Sequence, residues 1–308
     1  MAVNNIHFLR AGTQELVTIR QDKAETAQVQ IGKYLKVITE SQQTINLTPY
    51  LTEELNIAPI VRGKFTDFDA AVPIQITVDG ILYDNGGESY TIGDDATELG
   101  HCASDLPYRV ISQGQTDVVS VYLDNGGHVE VEMSRELVND ALNSGVGSLF
   151  AMDVQPTSSP IVVTVFLDGY NDVRYSQEIP YIFRPTGLNG KRIAWLNRYG
   201  ALDFWNFDYL REQSFGATAE TIYTHNGYKK IGRTAEKVYV VETREATREA
   251  IDALSFIIAS PAVWLVNDDL TGNPTFEEVD VITEECKVFD SEELLGLQIA
   301  YRPKKRVL

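Results

Sequence analysis

The stretch Asp117–Met133, DVVSVYLDNGGHVEVEM, places two alternating apolar segments on either side of the turn residues Asp124 to Gly127. Apolar and polar residues alternate in both segments, and this period of two is typical of half-buried β-strands. Asn-Gly supplies the positive φ angles that tight hairpin turns require, so we expect a hairpin here. The pattern indicates antiparallel strands in a sandwich or a barrel.

Similar segments recur from Val17 to about Tyr181, for example in Val72–Asp84 and Pro160–Tyr170, so this part of the chain is predicted to be all-β. Asp-Asn-Gly-Gly also occurs at Asp84 to Gly87, again directly after an apolar strand. Common turn chemistry explains the recurrence, and a duplicated domain is the alternative explanation.

One long helix is predicted from about Thr243 to Ala259, with Thr243 as its N-cap and Ser260-Pro261 ending it. Strand-like segments follow directly, so the last third of the chain is predicted to pack a helix on antiparallel strands. The helix prediction depends on apolar residues at spacings of three and four, which form one stripe: Ala246, Ala250, Ile251, Leu254, Ile257 and Ile258.

The 308 residues carry 26 Lys and Arg against 44 Asp and Glu, a formal charge of -18. Broad binding to duplex DNA or to an anionic membrane needs a basic footprint, which this composition argues against. No apolar run approaches the roughly 20 residues that span a bilayer, and the N-terminus lacks the apolar core of a secretory signal, so synthesis in the cytosol is expected. Cys102 and Cys286 have no CxxC spacing and are expected to be reduced thiols.

Motifs for catalysis are missing from the sequence: there is no phosphate-binding loop, GxSxG elbow, HExxH helix or GxGxxG turn. Acidic pairs occur at Asp94-Asp95, Glu277-Glu278 and Glu284-Glu285. Two opposed carboxylates would suit glycoside hydrolysis, whereas acidic pairs in a chain this acidic are also expected on solvated surfaces. We therefore predict no enzyme, and no catalytic or cofactor-binding residues.

A calcium loop is nearly matched by Asn267, Asp269, Thr271, Gly272 and Glu278, at the first, third, fifth, sixth and twelfth positions. The first and fifth ligands are neutral, and the flanking segments resemble strands instead of helices. A polar hairpin loop is the favoured interpretation, and no metal site is predicted.

The stretch Arg192–Phe207, RIAWLNRYGALDFWNF, contains two of the three tryptophans. Asn197 to Gly200 is predicted to form a turn in which Asn and Gly accept positive φ. Asp203 is expected to accept hydrogen bonds from the turn amides or to pair with Arg198. We interpret the stretch as a structural joint with buried indoles, and its motif residues are Trp195, Asn197, Arg198, Gly200, Asp203, Trp205 and Phe207.

This stretch resembles the WLNRxGGxDxxxF-type segment of tail-associated structural proteins of phages and prophages of Bacteroidota hosts, the crAss-like phages among them. Ala201 stands where a second glycine is common in that segment. In such proteins β-rich Ig-like material precedes the motif, and a helix ending in an SPxVxL turn follows it, here at Ser260 to Leu265. The matching residues are Ile193, Trp195, Leu196, Asn197, Arg198, Gly200, Asp203 and Phe207.

The resemblance implies a mainly β fold, with Ig-like antiparallel β-sandwich modules followed by a smaller α+β C-terminal module. The expected divisions are an N-terminal β segment or domain at 1–70, a β-sandwich domain at 71–185 and an α+β domain at 186–308.

The expected function is that of a non-enzymatic virion protein of the tail or neck, produced in the host cytoplasm. Copies would assemble into a symmetric ring or tube and dock to other tail, neck or portal-proximal proteins, with no membrane partner and with DNA only as passing cargo. A basic C-terminal tail is the possible docking element: Arg302, Lys304, Lys305 and Arg306. The alternative is a receptor- or glycan-binding adhesion module that exposes aromatic residues such as Tyr83, Tyr122 or Tyr170.

Overall fold

A computed structural model of the chain describes its C-terminal two thirds in long continuous ranges and the first 100 residues as short segments. The described residues are 6–9, 16–20, 27–31, 34–38, 42–47, 50, 66–67, 72–73, 76–79, 81–82, 89–92, 102–123, 127–142, 148–157, 160–166, 172–184, 190–225, 227–268, 274–283, 287–291 and 294–304.

Nine of the ten strands described before residue 100 pair into three small sheets, with strand orders β1-β10-β7, β2-β5 and β4-β3-β8-β9, and β6 pairs with a later strand. Val29, Ile31 and Ile45 are buried at alternate positions of their strands, as a period of two requires. The strand bounds are β1 Ile6–Leu9, β2 Leu16–Arg20, β3 Ala27–Ile31, β4 Tyr34–Ile38, β5 Gln42–Asn46, β6 Thr66–Asp67, β7 Val72–Pro73, β8 Ile76–Val78, β9 Ile81–Leu82 and β10 Ser89–Ile92.

The middle of the chain forms two larger sheets and one two-stranded pair, with orders β12-β15-β6, β14-β13-β16-β17 and β11-β18. The strands are β11 Arg109–Ile111, β12 Asp117–Leu123, β13 His128–Met133, β14 Glu136–Leu142, β15 Ser148–Val154, β16 Ile161–Phe166, β17 Val173–Ile179 and β18 Tyr181–Phe183. Strands β12 and β15 share one hydrophobic core with β13, β16 and β17, so the two larger sheets lie on opposite sides of it.

The expected hairpins at the two Asp-Asn-Gly-Gly sequences are wrong. Strand β12 pairs with β15, whereas β13 pairs with β14 and β16. Likewise, β9 pairs with β8, whereas β10 pairs with β1 and β7. Each sequence therefore lies between strands that pair into different sheets. At the second one, side chains of both flanking strands, such as Val121 and Val129, enter one core from opposite sheets.

The last third of the chain is dominated by one antiparallel sheet of eight strands, in the order β20-β19-β23-β24-β26-β22-β21, with β25 paired to β26. Its strands are β19 Lys191–Leu196, β20 Leu202–Phe207, β21 Tyr209–Thr224, β22 Gly227–Ala246, β23 Val263–Asp268, β24 Pro274–Val281, β25 Lys287–Ser291 and β26 Leu294–Pro303. The strands predicted after the helix, β23, β24 and β26, are confirmed.

Helix α1 spans Arg248–Ser255 and continues as a 3-10 turn, Phe256–Ala259, that ends before Ser260 as predicted. The predicted start at Thr243 is wrong, because Thr243 is a buried residue of strand β22. Thr247 is the N-cap instead, and its hydroxyl accepts a hydrogen bond from the Ala250 amide. Most of the predicted stripe is buried, but Ile258 is 37% exposed.

Strand pairing crosses the expected boundary after residue 70, since β3 pairs with β8 and β6 pairs with β15. The residues just before the expected boundary after residue 185 also belong to the sheet structure. Strand β18 pairs in parallel with β11, and the Arg184 amide donates to the Ile111 carbonyl. Pro185 to Asn189 lie outside the described residues.

The fold is mainly β, as predicted from the alternating segments. Among the residues described, no helix has the length and apolar character needed to cross a lipid bilayer.

Candidate functional site: the WLNRYG joint

The motif forms a tight hairpin of β19 and β20 that is buried on both faces. Trp195 lies opposite Asp203 and Ile193 lies opposite Trp205 in the ladder. Side chains at alternate positions enter two separate hydrophobic clusters. The first contains Ile193, Trp195, Trp205 and Phe207 together with helix α1, and the second contains Ala194, Leu196, Leu202 and Phe204.

The predicted burial of both indoles is confirmed, because Trp195 and Trp205 are each 1% exposed. Both clusters also include residues from before residue 120. Leu106 and Val110 enter the first cluster, and Val118 enters the second. The hairpin is therefore the place where the β11–β12 region packs on the C-terminal sheet.

Asn197 organises the turn between the two strands. Its side-chain oxygen accepts hydrogen bonds from the backbone amides of Tyr199 and Ala201, at 3.0 and 3.1 Å. Its amide nitrogen donates to the Ala103 carbonyl at 2.7 Å and to the Asp203 carboxylate at 2.9 Å. Gly200 has a φ of 76°, which a glycine adopts without strain. The predicted turn and the positive φ of Gly200 are thus confirmed, whereas the positive φ expected for Asn is wrong, because Asn197 acts through its side chain instead. Its bond to the Ala103 carbonyl also connects the turn to the preceding β region.

Arg198 pairs with Asp105, so the expected alternative of an Arg198–Asp203 pair is wrong. Of the turn, it is the Asn197 side-chain amide that donates to Asp203. Arg198 Nη2 lies 2.7 Å from Asp105 Oδ1, and the Tyr199 hydroxyl donates to the same oxygen at 2.9 Å. Burial, followed by the nearby Asp105 charge, raises the pKa of Tyr199 to about 12. The Arg198 and Asp105 side chains are 41% and 29% exposed, so this ion pair is partly screened by water.

Asp203 instead pairs with Arg109, a residue that the sequence did not single out. Arg109 Nη2 lies 2.9 Å from Asp203 Oδ1, and its Nη1 lies 3.7 Å from Asp117 Oδ1. Arg192 Nη2 lies 3.9 Å from the same Asp117 oxygen, and the Tyr181 hydroxyl donates to Asp117 Oδ2 at 2.9 Å. The four charged side chains are at most 4% exposed, and two positive charges balance two negative ones.

Burial and the close approach of opposite charges shift the pKa values of groups in and beside this network. Burial alone would lower the pKa of Arg109, but the adjacent Asp117 and Asp203 carboxylates outweigh it and raise that pKa. Burial raises the pKa of Asp203, although Arg109 and the Asn197 amide oppose that rise. Burial also raises the pKa of Cys102 to about 12, so this thiol is held in its neutral form.

A second set of contacts connects the hairpin to the long strand β22. Trp205 Nε1 donates to the Thr243 hydroxyl at 3.0 Å, and that hydroxyl lies 3.3 Å from Asp208 Oδ2. The Tyr108 ring is tilted by 49° against the same indole, with 5.6 Å between ring centroids, and its hydroxyl accepts a hydrogen bond from the Thr247 amide. Side-chain hydrogen bonds thus connect Trp205 to Thr243 of β22, and Tyr108 binds the N-cap residue of helix α1.

The basic residues of the proposed docking tail begin inside the fold. Arg302 belongs to strand β26, where its Nε lies 3.3 Å from Asp280 Oδ2. Lys304 Nζ lies 2.6 Å from Glu278 Oε1. Lys305 and Arg306 lie outside the described residues. Two of the four cations are therefore already paired with acids of strand β24.

The calcium-like segment is a β23–β24 hairpin, which confirms the strand-flanked interpretation. Asn267 and Glu278 lie in different strands, and Asn267 is opposite Thr275. The other three positions, Asp269, Thr271 and Gly272, lie outside the described residues. Within the described part of the chain, no three His, Cys, Asp or Glu side chains cluster as metal ligands would.

The candidate acidic pair Glu277-Glu278 does not form two opposed carboxylates. Both residues are exposed neighbours in strand β24, where successive side chains point to opposite faces of the sheet. Asp94-Asp95 and Glu284-Glu285 lie outside the described residues, as do Tyr83 and Tyr170. Tyr122 belongs to strand β12, and its side chain is not among those described.

A long projecting hairpin, β21–β22, was missed by the sequence reasoning. It pairs from Tyr209 opposite Glu242 to Thr224 opposite Gly227. The turn signal is His225-Asn226-Gly227, which lies between segments rich in threonine, tyrosine and isoleucine. Gly227 has a φ of 98°, the left-handed conformation that an Asn-Gly turn requires.

No protein-family model matches the chain, and the search of curated proteins gives no match.

Proposed function

We propose that the chain is a non-enzymatic structural subunit of a phage tail or neck. In this proposal, copies assemble into a symmetric ring or tube and dock to neighbouring tail, neck or portal-proximal proteins. The observation that carries the proposal is the internal pairing of the joint. Asn197 and Asp203 of the most distinctive segment bind each other, Asp203 also pairs with Arg109 of strand β11, and all three side chains are buried.

A catalytic or ligand-binding motif needs polar groups that are accessible to a substrate, whereas a scaffold needs them satisfied within the fold. Arg109, Asp117, Arg192 and Asp203 together form a buried network of balanced charge. Such a network favours a defined relative placement of the elements that it joins. A rigid joint between two β regions suits a subunit that must repeat identically around a symmetry axis.

The finer architecture is also a proposal. The two sheets that share the β12–β17 core support an Ig-like sandwich within residues 71–185. The packing of α1 against the eight-stranded sheet supports a smaller α+β module within 186–308. The pairing of β6 with β15 supports extending the first of these modules to include residues before 71.

The formal charge of -18 supports a role in which DNA passes through the ring or tube without being bound by it. Fixed charges are screened beyond about 8 Å at physiological salt, so only acids that line a channel would repel passing DNA. Docking through the basic C-terminus would use Lys305 and Arg306, since Arg302 and Lys304 are engaged with Asp280 and Glu278.

Mass spectrometry of purified particles tests this function directly. The particles come from the phage or induced prophage whose genome encodes the chain. We expect the protein in intact virions, at a copy number that is a multiple of a ring symmetry. Its absence from virions, together with its presence in the infected-cell lysate, would contradict the proposal.

A second candidate is a glycan-binding adhesion module, and the tip of the β21–β22 hairpin favours it. Tyr223 and Tyr228 are 77% and 80% exposed, and their rings form an edge-to-face pair with centroids 5.1 Å apart. Exposed tyrosines suit stacking on sugar rings. A glycan array with the purified protein and with Tyr223→Ala tests this candidate, which predicts binding by the parent alone.

A further inference from the structure

The β21–β22 hairpin extends far beyond the sheet from which it arises. Strand β22 pairs with β26 only from Tyr239 to Ala246. From Ser214 opposite Val238 outward to Thr224 opposite Gly227, the two strands pair only with each other among the described residues. We call residues 214–238 the arm. Its 11-residue outgoing strand is about 35 Å long at roughly 3.3 Å per residue.

An isolated two-stranded ribbon is at best marginally stable in water, because it buries little apolar surface. Both edges of the arm leave a row of backbone N–H and C=O groups unpaired within the described structure. The apolar residues at its tip also remain uncovered there, with Ile222 42% exposed beside the Tyr223–Tyr228 pair. A partner that adds a strand to an edge would satisfy these groups.

The charges of the arm identify the kind of partner. The arm carries four Lys or Arg and two Glu, a net charge of +2, whereas the other 283 residues of the chain carry -20. The two strands also differ in sign. Residues 214–224 of β21 carry only Glu220, a charge of -1, while residues 227–238 of β22 carry +3. Strand β21 of one copy is thus complementary to strand β22 of another.

We propose that the arm pairs edge to edge with the arm of the next copy of the chain, β21 against β22, so that arms in a closed ring form a continuous antiparallel sheet. This proposal deepens the self-assembly part of the proposed function and rests on it. When neighbouring arms point the same way, β21 runs outward beside a β22 that runs back, which is the antiparallel orientation. Pairing of β22 with β22 would instead place +3 against +3.

This pairing is head-to-tail, because the two edges in contact are different surfaces of the same arm. A head-to-tail contact closes into a ring when its rotation permits, and a ring removes every open edge. A two-fold dimer that uses one edge twice would leave the other edge open. The charge pattern therefore favours a cyclic assembly of three or more copies over a dimer.

The first test shortens the arm. Residues 217–235 are replaced by Asn-Gly, so that Gly216 and Glu236, which are opposite each other, become the strand ends. The rest of the sheet and its core are unchanged, and we expect the thermal unfolding transition to match that of the parent. Native mass spectrometry and light scattering should show a cyclic oligomer for the parent and a monomer for the shortened variant.

The second test reverses the charge of one edge. Lys229→Glu, Lys230→Glu and Arg233→Glu together change the β22 part of the arm from +3 to -3. We expect the apparent dissociation constant of the oligomer to rise by about a hundredfold, since like charges then meet at each contact. Adding Glu220→Lys, which makes the β21 edge positive, should restore assembly.

The matched control places the same charge change outside the arm, with Arg135→Glu, Arg174→Glu and Arg248→Glu at exposed positions. This control should assemble like the parent. Hydrogen exchange supplies an independent measurement, because amides of both arm strands should become protected when the parent assembles.

Three results would overturn the arm proposal: a parent that stays monomeric at every soluble concentration, an oligomer that survives shortening of the arm, or an oligomer indifferent to charge reversal. A parent that forms only dimers would refute the head-to-tail contact. These outcomes are separable from the proposed function. If the protein is found in virions but its oligomer does not depend on the arm, only the arm proposal is refuted. If the protein forms arm-dependent rings but is absent from virions, only the virion role is refuted.

Discussion

Replacing Arg109 by methionine tests whether the buried charge network holds the joint together. The substitution keeps much of the side-chain volume but leaves Asp203 without its cationic partner and Asp117 with Arg192 and the Tyr181 hydroxyl. Removing one member of a buried ion pair leaves the other charge uncompensated in a region from which water is excluded. We expect a loss of about 3 to 5 kcal/mol in the free energy of unfolding.

Arg198→Met is the matched control, because it removes another arginine–aspartate pair that connects the β19–β20 hairpin to the β11 region, at an exposed position. The Arg198 and Asp105 side chains are 41% and 29% exposed. Water and salt already screen that pair, so its loss should cost about 0 to 1 kcal/mol. Both variants delete a guanidinium that pairs with an aspartate between the β19–β20 hairpin and the β11 region, and the two pairs differ in burial.

The pH dependence of the difference in unfolding free energy between the parent and Arg109→Met provides a second measurement. Arg109 opposes the rise that burial imposes on the Asp203 pKa, so its removal raises that pKa further. A carboxyl with a raised folded-state pKa stabilises the fold below its unfolded-state pKa and loses that contribution as the pH rises through the folded-state value. The cost of Arg109→Met should therefore be larger at about pH 8 than at about pH 5.5.

Urea unfolding followed by tryptophan fluorescence is a suitable assay, since all three tryptophans, Trp195, Trp205 and Trp264, are at most 3% exposed. Equal shifts of the unfolding midpoint in Arg109→Met and Arg198→Met would refute the assignment of the network as a buried structural element. A cost that grows toward acid pH would refute the role assigned to the Asp203 carboxylate.

Three further predictions follow from the joint and its surroundings. Trp195→Ala should lower the free energy of unfolding by about 3 to 5 kcal/mol, measured in the same urea assay, because the indole is fully buried. Gly200→Ala should cost about 1 to 2 kcal/mol, because the residue has a φ of 76°, and an unchanged midpoint would count against the turn. In a Cys286→Ser background, Cys102 should react with iodoacetamide at neutral pH only after unfolding, because burial raises its pKa to about 12.

Local sequence patterns predicted the features of the fold that depend on near neighbours. Alternation identified the strand β12, Ser260-Pro261 located the end of the helical segment, and the run around Trp195 indicated burial. The helix N-cap was misplaced from Thr247 to Thr243, because the apolar spacing continues into the strand before the helix.

Features that depend on distant partners were not predictable from one sequence. Asp-Asn-Gly-Gly is equally compatible with a hairpin and with a connection between sheets, because the turn residues do not specify which strand each neighbour will pair with. Arg109 and Asp203 are 94 positions apart, and no local pattern associates them. Asn197, by contrast, was recognised as a turn residue, but its bond to the Ala103 carbonyl required the folded chain.

Strand β22 runs without interruption from Gly227 to Ala246, with its first 12 residues in the arm and its last 8 in the main sheet. The arm is consequently anchored to the main sheet at the edge of β26, near Tyr239, and a rotation there would displace the whole arm. A rotation of about 10° at that edge would move the tip by about 6 Å over the arm length of about 35 Å. Small adjustments in the packing around Thr243 and Trp205 are therefore magnified at the tip.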